Sequence, residues 1–316
     1  MMNRHIAAFL ALVALAVLVV GCGKKETAKA GKGPMVGVTL WRKGDPFYQN
    51  LESAMREEAE KEGVTLRVQS AEMDLHTQMG QVEDFIAQKV DAIVVCPVDS
   101  KSIAGAIRKA NEAKIPVFTA DIAAQGGDVV SHIASDNVAG GRLAGEYMVK
   151  LLGGKGKIVI VNHPIDTSVQ DRVRGFKEAI VKSNIKIVDD QACEGLRDKA
   201  MAVMENLLQK HRDLNGVFAI NDSTALGCLA AIRQAKRTDV AIVGYDGDPE
   251  ARQEILAGSP LKADAVQFPR EIGKVTVQTI AKYLKGEQVP KIVPIKVGII
   301  DQESLKKEAK DNPGSK

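Results

Sequence analysis

Residues able to do chemistry gather where short β-branched runs end. The first run is followed by Trp41-Arg42-Lys43-Gly44-Asp45-Pro46-Phe47-Tyr48. Later runs are followed by Cys96-Pro97-Val98-Asp99, Asp121, Asn162-His163, Asn221-Asp222 and Asp246-Gly247-Asp248. Helix N-capping accounts for Asp99, Ser100 and Asp222 taken one at a time. The set as a whole points to a polar ligand. A sugar needs flat apolar surfaces for its CH faces and planar side chains that donate or accept in pairs for its hydroxyls. Phe47, Tyr48 and Trp41 can supply the surfaces. Asp121, Arg172, Asn221, Asp246 and Gln267 can supply the pairs. Taken alone, Phe47 and Tyr48 read equally well as first-turn helix residues, and Arg172 as a solvated helix arginine.

Catalytic signatures do not accompany this set. There is no GxGxxG between a strand and a helix, no GxSxG and no HExxH. The run Gly153-Gly154-Lys155-Gly156 precedes a strand and lacks the serine or threonine of a phosphate-binding loop. Asp246 and Asp248 read as caps or ligand acceptors, so no metal or cofactor is expected.

The elements that must position these residues alternate regularly. Strands are expected at Met35 to Leu40, Val64 to Gln69, Ala92 to Val95 and Val117 to Ala120. Helices are expected between them at Phe47 to Lys61, Gln78 to Gln88 and Ile103 to Ala113. The rhythm restarts with strands at Lys157 to Val161, Ile185 to Val188, Gly216 to Ile220 and Val240 to Gly244. The second set of helices covers Gln170 to Lys182, Lys199 to His211 and Thr224 to Ala235. This alternation implies parallel sheets built from right-handed βαβ units. Two series imply two doubly wound lobes, with ligand bound beyond the carboxyl ends of the strands. The 316 residues are long enough for two domains, and a 45% hydrophobic content supports cores without staples. A net charge of +3 does not call for nucleic acid.

The N-terminus reads as a targeting segment. Arg4 and His5 precede an apolar run from Ile6 to Val20, too short for a comfortable membrane span, which ends in Val19-Val20-Gly21-Cys22. That ending resembles a bacterial lipobox with Cys22 as the lipidated residue. Gly23 to Gly33 then forms a tether. Cys96, Cys193 and Cys228 remain, an odd count, and read as small buried hydrophobes.

Several stretches carry a family likeness. They are Asp45-Pro46-Phe47-Tyr48, Val90-Asp91-Ala92-Ile93 with Pro97-Val98-Asp99-Ser100, Ile115-Pro116-Val117, and Ser131 to Asn137. Arg172-Val173-Arg174-Gly175-Phe176, Val217 to Asp222, Val243-Gly244-Tyr245-Asp246-Gly247 and Ala265-Val266-Gln267 continue the list in order. Together they resemble the periplasmic sugar-binding proteins with the type I periplasmic binding fold, most of all the ribose-binding branch. The resemblance implies two lobes joined by a three-segment hinge. It also implies sugar contacts at Asp45, Phe47, Tyr48, Asp121, Arg172, Asn221, Asp246 and Gln267. Arg172 is expected to fork two sugar oxygens from the second lobe while Asp121 answers from the first.

Departures from the family pattern bear on the ligand. Cys96 stands where the family has asparagine, and Ile122 where an arginine follows the aspartate. The second-lobe aromatic falls near Gly195, and Trp41, Arg42 and Lys43 lengthen the first loop. Hydroxyls stripped of a buried partner cost about 1–3 kcal/mol each. The expected ligand is therefore a pentose, hexose or sugar alcohol other than ribose, with Trp41 replacing the stacking surface and Lys43 the charge.

The expected organisation is a lipoprotein signal peptide at 1–21 and a tether at 22–34. An N-terminal lobe takes 35–135 and 268–293, a C-terminal lobe 136–267 and 294–305, and a disordered tail 306–316. The expected role is the substrate-binding lipoprotein of an ABC-type sugar importer: exported, monomeric, and touching the membrane only through its N-terminal lipid. Its expected partners are the ligand and the permease subunits, not nucleic acid. Delivery to a chemoreceptor or sensor kinase is the alternative. A DNA-binding regulator on the same lobes would begin with a helix-turn-helix instead of a targeting segment.

Overall fold

The structure, a computed structural model, describes residues 33–311. The chain opens with β1 (Met35–Leu40), α1 (Pro46–Glu62), β2 (Thr65–Ser70), α2 (Leu75–Ala87), β3 (Ala92–Val95), α3 (Ala104–Glu112), β4 (Val117–Ala120) and β5 (Val129–Ser135). It continues with α4 (Asn137–Leu151), β6 (Lys155–Asn162), α5 (Thr167–Ile180), β7 (Asn184–Ala192), α6 (Arg197–Lys210), β8 (Gly216–Ala219), α7 (Asp222–Gln234), β9 (Ala241–Asp246), α8 (Pro249–Leu256) and β10 (Leu261–Val266). The last elements are α9 (Pro269–Leu284), β11 (Ile292–Ile295), β12 (Gly298–Asp301) and α10 (Gln302–Asp311).

These strands form two six-stranded sheets, ordered β11-β5-β4-β3-β1-β2 and β12-β10-β9-β8-β6-β7. Every pairing is parallel except that of β12 with β10. Central strands such as β3, β4 and β8 are buried along their whole length, which is why their sequences are almost wholly apolar, Thr119 of β4 excepted, and do not alternate. In each sheet the strand order reverses beside the first strand of the series, between β1 and β3 and between β6 and β8. Those reversals open the crevices where ligands bind in such sheets.

The chain crosses between the sheets three times: between β5 and α4, between β10 and α9, and between β11 and β12. At the first crossing the Asp136 carboxylate accepts from the Ala139 amide at 3.0 Å and caps α4, while Asn137 Nδ2 donates to the Ser135 carbonyl at 3.1 Å. After the second crossing α9 packs along α1 of the first lobe.

Two expected boundaries are corrected. Residues 306–311 are helical and not a disordered tail, because Leu305 is buried on the inner face of α10 and Arg252 pairs with Glu308 at 3.1 Å. Lys306, Lys307 and Lys310 form its exposed outer face. Pro294 and Ile295 pair with Ala134 and Ser135 of β5, so they belong to the first sheet and the crossing falls at Lys296 and Val297. The signal segment, Cys22 and nearly all of the tether lie outside the described residues. Cys96, Cys193 and Cys228 are free and buried.

Candidate binding site

The first lobe contributes an aromatic patch and a carboxylate. Asp45 caps α1 by accepting from the Phe47 amide at 3.0 Å, and Pro46 fixes the first turn. That start aims Phe47 and Tyr48 inward. Tyr48 stacks on Trp41, with ring centroids 6.1 Å apart and planes at 19°, and meets Phe47 edge-on at 5.2 Å. The Tyr48 hydroxyl donates to Asp121 Oδ2 at 2.7 Å. Asp121 follows β4 with a φ of 65°, a left-handed conformation that costs an L residue energy and is tolerated where surroundings enforce it. Burial pushes its carboxyl up to about 6, against the pull of Arg172 and the Tyr48 hydrogen bond.

In the second lobe Arg172 is clamped from several sides. Its Nε donates to Asn137 Oδ1 at 2.9 Å and its Nη1 to the Ile220 carbonyl at 2.7 Å. Nη1 also lies 3.7 Å from Asp246 Oδ1, and the guanidinium carbon sits 4.0 Å from the Tyr245 ring centroid. Asp246 has a φ of 121° and accepts at Oδ1 from Gln267 Nε2 at 2.7 Å. Burial raises the Asp246 carboxyl although Arg172 opposes it. Asn221 caps α7 through the Thr224 amide at 2.8 Å and donates from Nδ2 to the Gly195 carbonyl at 3.2 Å.

A partly open cavity lies between the lobes and is lined by residues of both. Trp41, Asp45, Phe47, Tyr48, Asp121, Arg172, Asn221, Asp246 and Gln267 all line it. Lys43 and Cys96 do not. Lys43 is exposed, its amide donating to Glu72 Oε1 at 3.2 Å, so the longer first loop carries its charge outward. Cys96 ends β3 inside the apolar core, where its carbonyl accepts from Gln78 Nε2 at 2.8 Å. Nε and one Nη1 hydrogen of Arg172 serve the protein, which leaves Nη2 and the second Nη1 hydrogen for the expected fork.

His163, Asp166, Ser168 and Val169, outside the expected contacts, also line the cavity. They belong to the β6–α5 connection and the first turn of α5. The usable signal was position, since this connection too follows a strand end. Four buried atoms on the cavity walls have no partner in the protein: Trp41 Nε1, Asp121 Oδ1, Asp166 Oδ1 and Gln267 Oε1.

Thr167, at the start of α5, ties the lobes together directly. Its hydroxyl accepts from the Ala123 amide at 3.0 Å and donates to the Ala123 carbonyl at 3.1 Å. Its amide donates to Ser100 Oγ at 3.0 Å.

Two doubly wound lobes closed on a polar, aromatic-walled cleft define the type I periplasmic binding architecture. The chain belongs to the periplasmic binding protein domain family, whose model matches residues 36–288. It is 34% identical over 298 residues to the ribose import binding protein of Salmonella typhimurium, covering 94% of this chain and 98% of that one. An ABC transporter solute binding protein from Mycobacterium smegmatis, solved with bound glycerol, superposes with a TM-score of 0.83 at 34% identity, covering 88% of this chain and 96% of that one. One from Bacillus halodurans with bound myo-inositol superposes at 0.82 and 27% identity, covering 89% and 99%.

Proposed function

We propose that the protein captures a monosaccharide or sugar alcohol between its lobes and delivers it to the permease of an ABC importer. The observation that carries this reading is the cavity wall. One buried donor and three buried acceptors without protein partners stand beside a Trp41–Tyr48–Phe47 surface. Buried polar groups left unpaired cost about 1–3 kcal/mol each, so a ligand studded with hydroxyls gains by meeting them. The relatives' bound or named ligands, ribose, glycerol and myo-inositol, share that chemistry. The role is capture and not conversion, in keeping with relatives named for import and solute binding.

A thermal-shift screen against pentoses, hexoses, polyols and sugar acids tests it. Ligand at a hundred times its dissociation constant stabilises by about 2.7 kcal/mol, a shift of several degrees. If no sugar or polyol shifts the transition at millimolar concentration, the reading is wrong.

Export and a lipid anchor at Cys22 complete the proposal, supported by the Val19-Val20-Gly21-Cys22 edge of the apolar run. Cys22→Ser is expected to abolish lipid labelling and membrane retention; a variant that stays in the membrane fraction argues against the anchor.

A further inference from the structure

We propose that Asp166 is the specificity-determining acceptor of the second lobe: with Asp121 it takes hydroxyl hydrogens of an uncharged polyol and turns away sugar acids and sugar phosphates. The proposal rests on the sugar-binding reading above and narrows it.

Asp166 stands at the N-cap position of α5, yet its side chain makes no capping bond. The first amide of α5, that of Thr167, donates to Ser100 Oγ instead. The Asp166 carboxylate is free to face the cavity. Its residue is 4% exposed, Oδ2 lies 3.5 Å from His163 Nε2, and Oδ1 has no partner in the protein. Asp121, 5% exposed, is likewise unpartnered at Oδ1, while its Oδ2 takes the Tyr48 hydroxyl. The two acceptors come from opposite lobes and line one cavity.

Two observations outside this acid pair point to the same occupant. Trp41 Nε1 is a buried donor without a partner on the same wall, and Gln267 Oε1 a buried acceptor without one. A hydroxyl can give its hydrogen to a carboxylate and accept from an indole. A carboxylate or phosphate can satisfy the indole alone and leaves three acceptors facing acceptors.

The charge census agrees. Asp45, Asp121, Asp166 and Asp246 line the cavity, whereas Arg172 is the one lysine or arginine on its walls among the described residues. Arg172 is already beside Asp246, and burial drives His163 toward its neutral form. An anion would meet four acidic side chains and one cation already engaged by Asp246. Burial and the neighbouring Asp121 raise the Asp166 carboxyl, as expected of acids that await donors.

Titration calorimetry on the purified protein decides the matter, using D-ribose, D-xylose, xylitol, ribitol and myo-inositol. D-ribonate and D-xylonate serve as acids, D-ribose 5-phosphate as the phosphate and D-glucosamine as a cation. At least one neutral probe is expected to bind, with its matched acid at least a hundredfold weaker. Asp166→Ala is expected to weaken the neutral probe at least tenfold, and Asp166→Asn, nearly isosteric, to weaken it less while narrowing the discrimination against the acid. A neutral probe held unchanged by Asp166→Ala, an acid held as tightly as its neutral match, or glucosamine as the tightest probe overturns this proposal and leaves sugar binding intact. Binding by no probe overturns the sugar-binding reading, and this proposal with it.

Discussion

Asp264 sits in the middle of β10 with no exposed surface, and neither of its carboxylate oxygens has a conventional donor. Asp222 Oδ1 is likewise unpartnered, the pattern of two carboxyls holding one proton between them. Burial raises Asp264 to about 7, with Asp222 and the Gly244 backbone pulling the other way. The unfolded acid ionises near 4, so the folded chain keeps a proton the unfolded one loses, and stability falls as pH rises from about 4 to about 7. Asp264→Asn is therefore expected to raise the melting temperature, and by more at pH 7.5 than at pH 4.5; an equal gain at both would argue against proton sharing. Arg172 is a different case, because it serves both ligand and scaffold. Arg172→Ala is expected to weaken binding by about ten- to several hundredfold, at about 1.4 kcal/mol per decade, and to lower the melting temperature of the ligand-free protein as well. An unchanged dissociation constant would remove it from the site. The strand-end rule found Trp41, Asp45, Phe47, Tyr48, Asp121, Asn221 and Asp246 in the sequence, because every βα connection of a parallel sheet opens on the same side. It was wrong for Cys96, whose side chain turns into the core, and for Lys43, which the longer loop carries outward. No local pattern separates those orientations. Asp166 was hidden because an acid before a helix reads as a cap, and only its unmade capping bond shows otherwise.

At the level of elements, the first series of strands and helices was legible to within a few residues. The stretch from β5 through α4 was not. Its glycines lower helix propensity, and they are explained only by packing. A Cβ on Gly141 would lie 1.9 Å from the Arg172 carbonyl, and one on Gly175 2.0 Å from the Val138 carbonyl. Helices α4 and α5 thus approach closely enough to hold Arg172 against Asn137 at the hinge, a tertiary demand invisible to periodicity. The start of α5 carries a further consequence through Thr167, which bonds Ala123 and Ser100 across the cleft. Each such bond is worth about 0.5–1.5 kcal/mol net. Thr167→Ala removes the two hydroxyl bonds to Ala123 and the longer one from the Ser100 hydroxyl at 3.4 Å, and keeps the amide one. Its expected effect is about tenfold weaker apparent affinity, with the ligand's contacts untouched. Calorimetry reads the affinity, and small-angle scattering should show a larger mean radius of gyration without ligand; no change in either would make the Thr167 bonds incidental.

Across the whole molecule, ligand and protein both favour the same closed arrangement. A sugar touching Asp121 on one lobe and Arg172 on the other adds its binding free energy to a closure the protein already supports. The apparent dissociation constant is the intrinsic one divided by the fraction of molecules already closed, so stronger interlobe bonds mean tighter capture. The same bonds set a second quantity. The bonds of Thr167 to Ala123 and Ser100 involve no ligand atom, so molecules closed by them alone would present the closed outline while carrying nothing. A receiver that recognises that outline counts these alongside the loaded ones. On the importer reading, the Thr167 bridge would set a noise floor for transport: strengthening it would improve scavenging from dilute surroundings and, by the same factor, raise the rate of false arrivals at the gate.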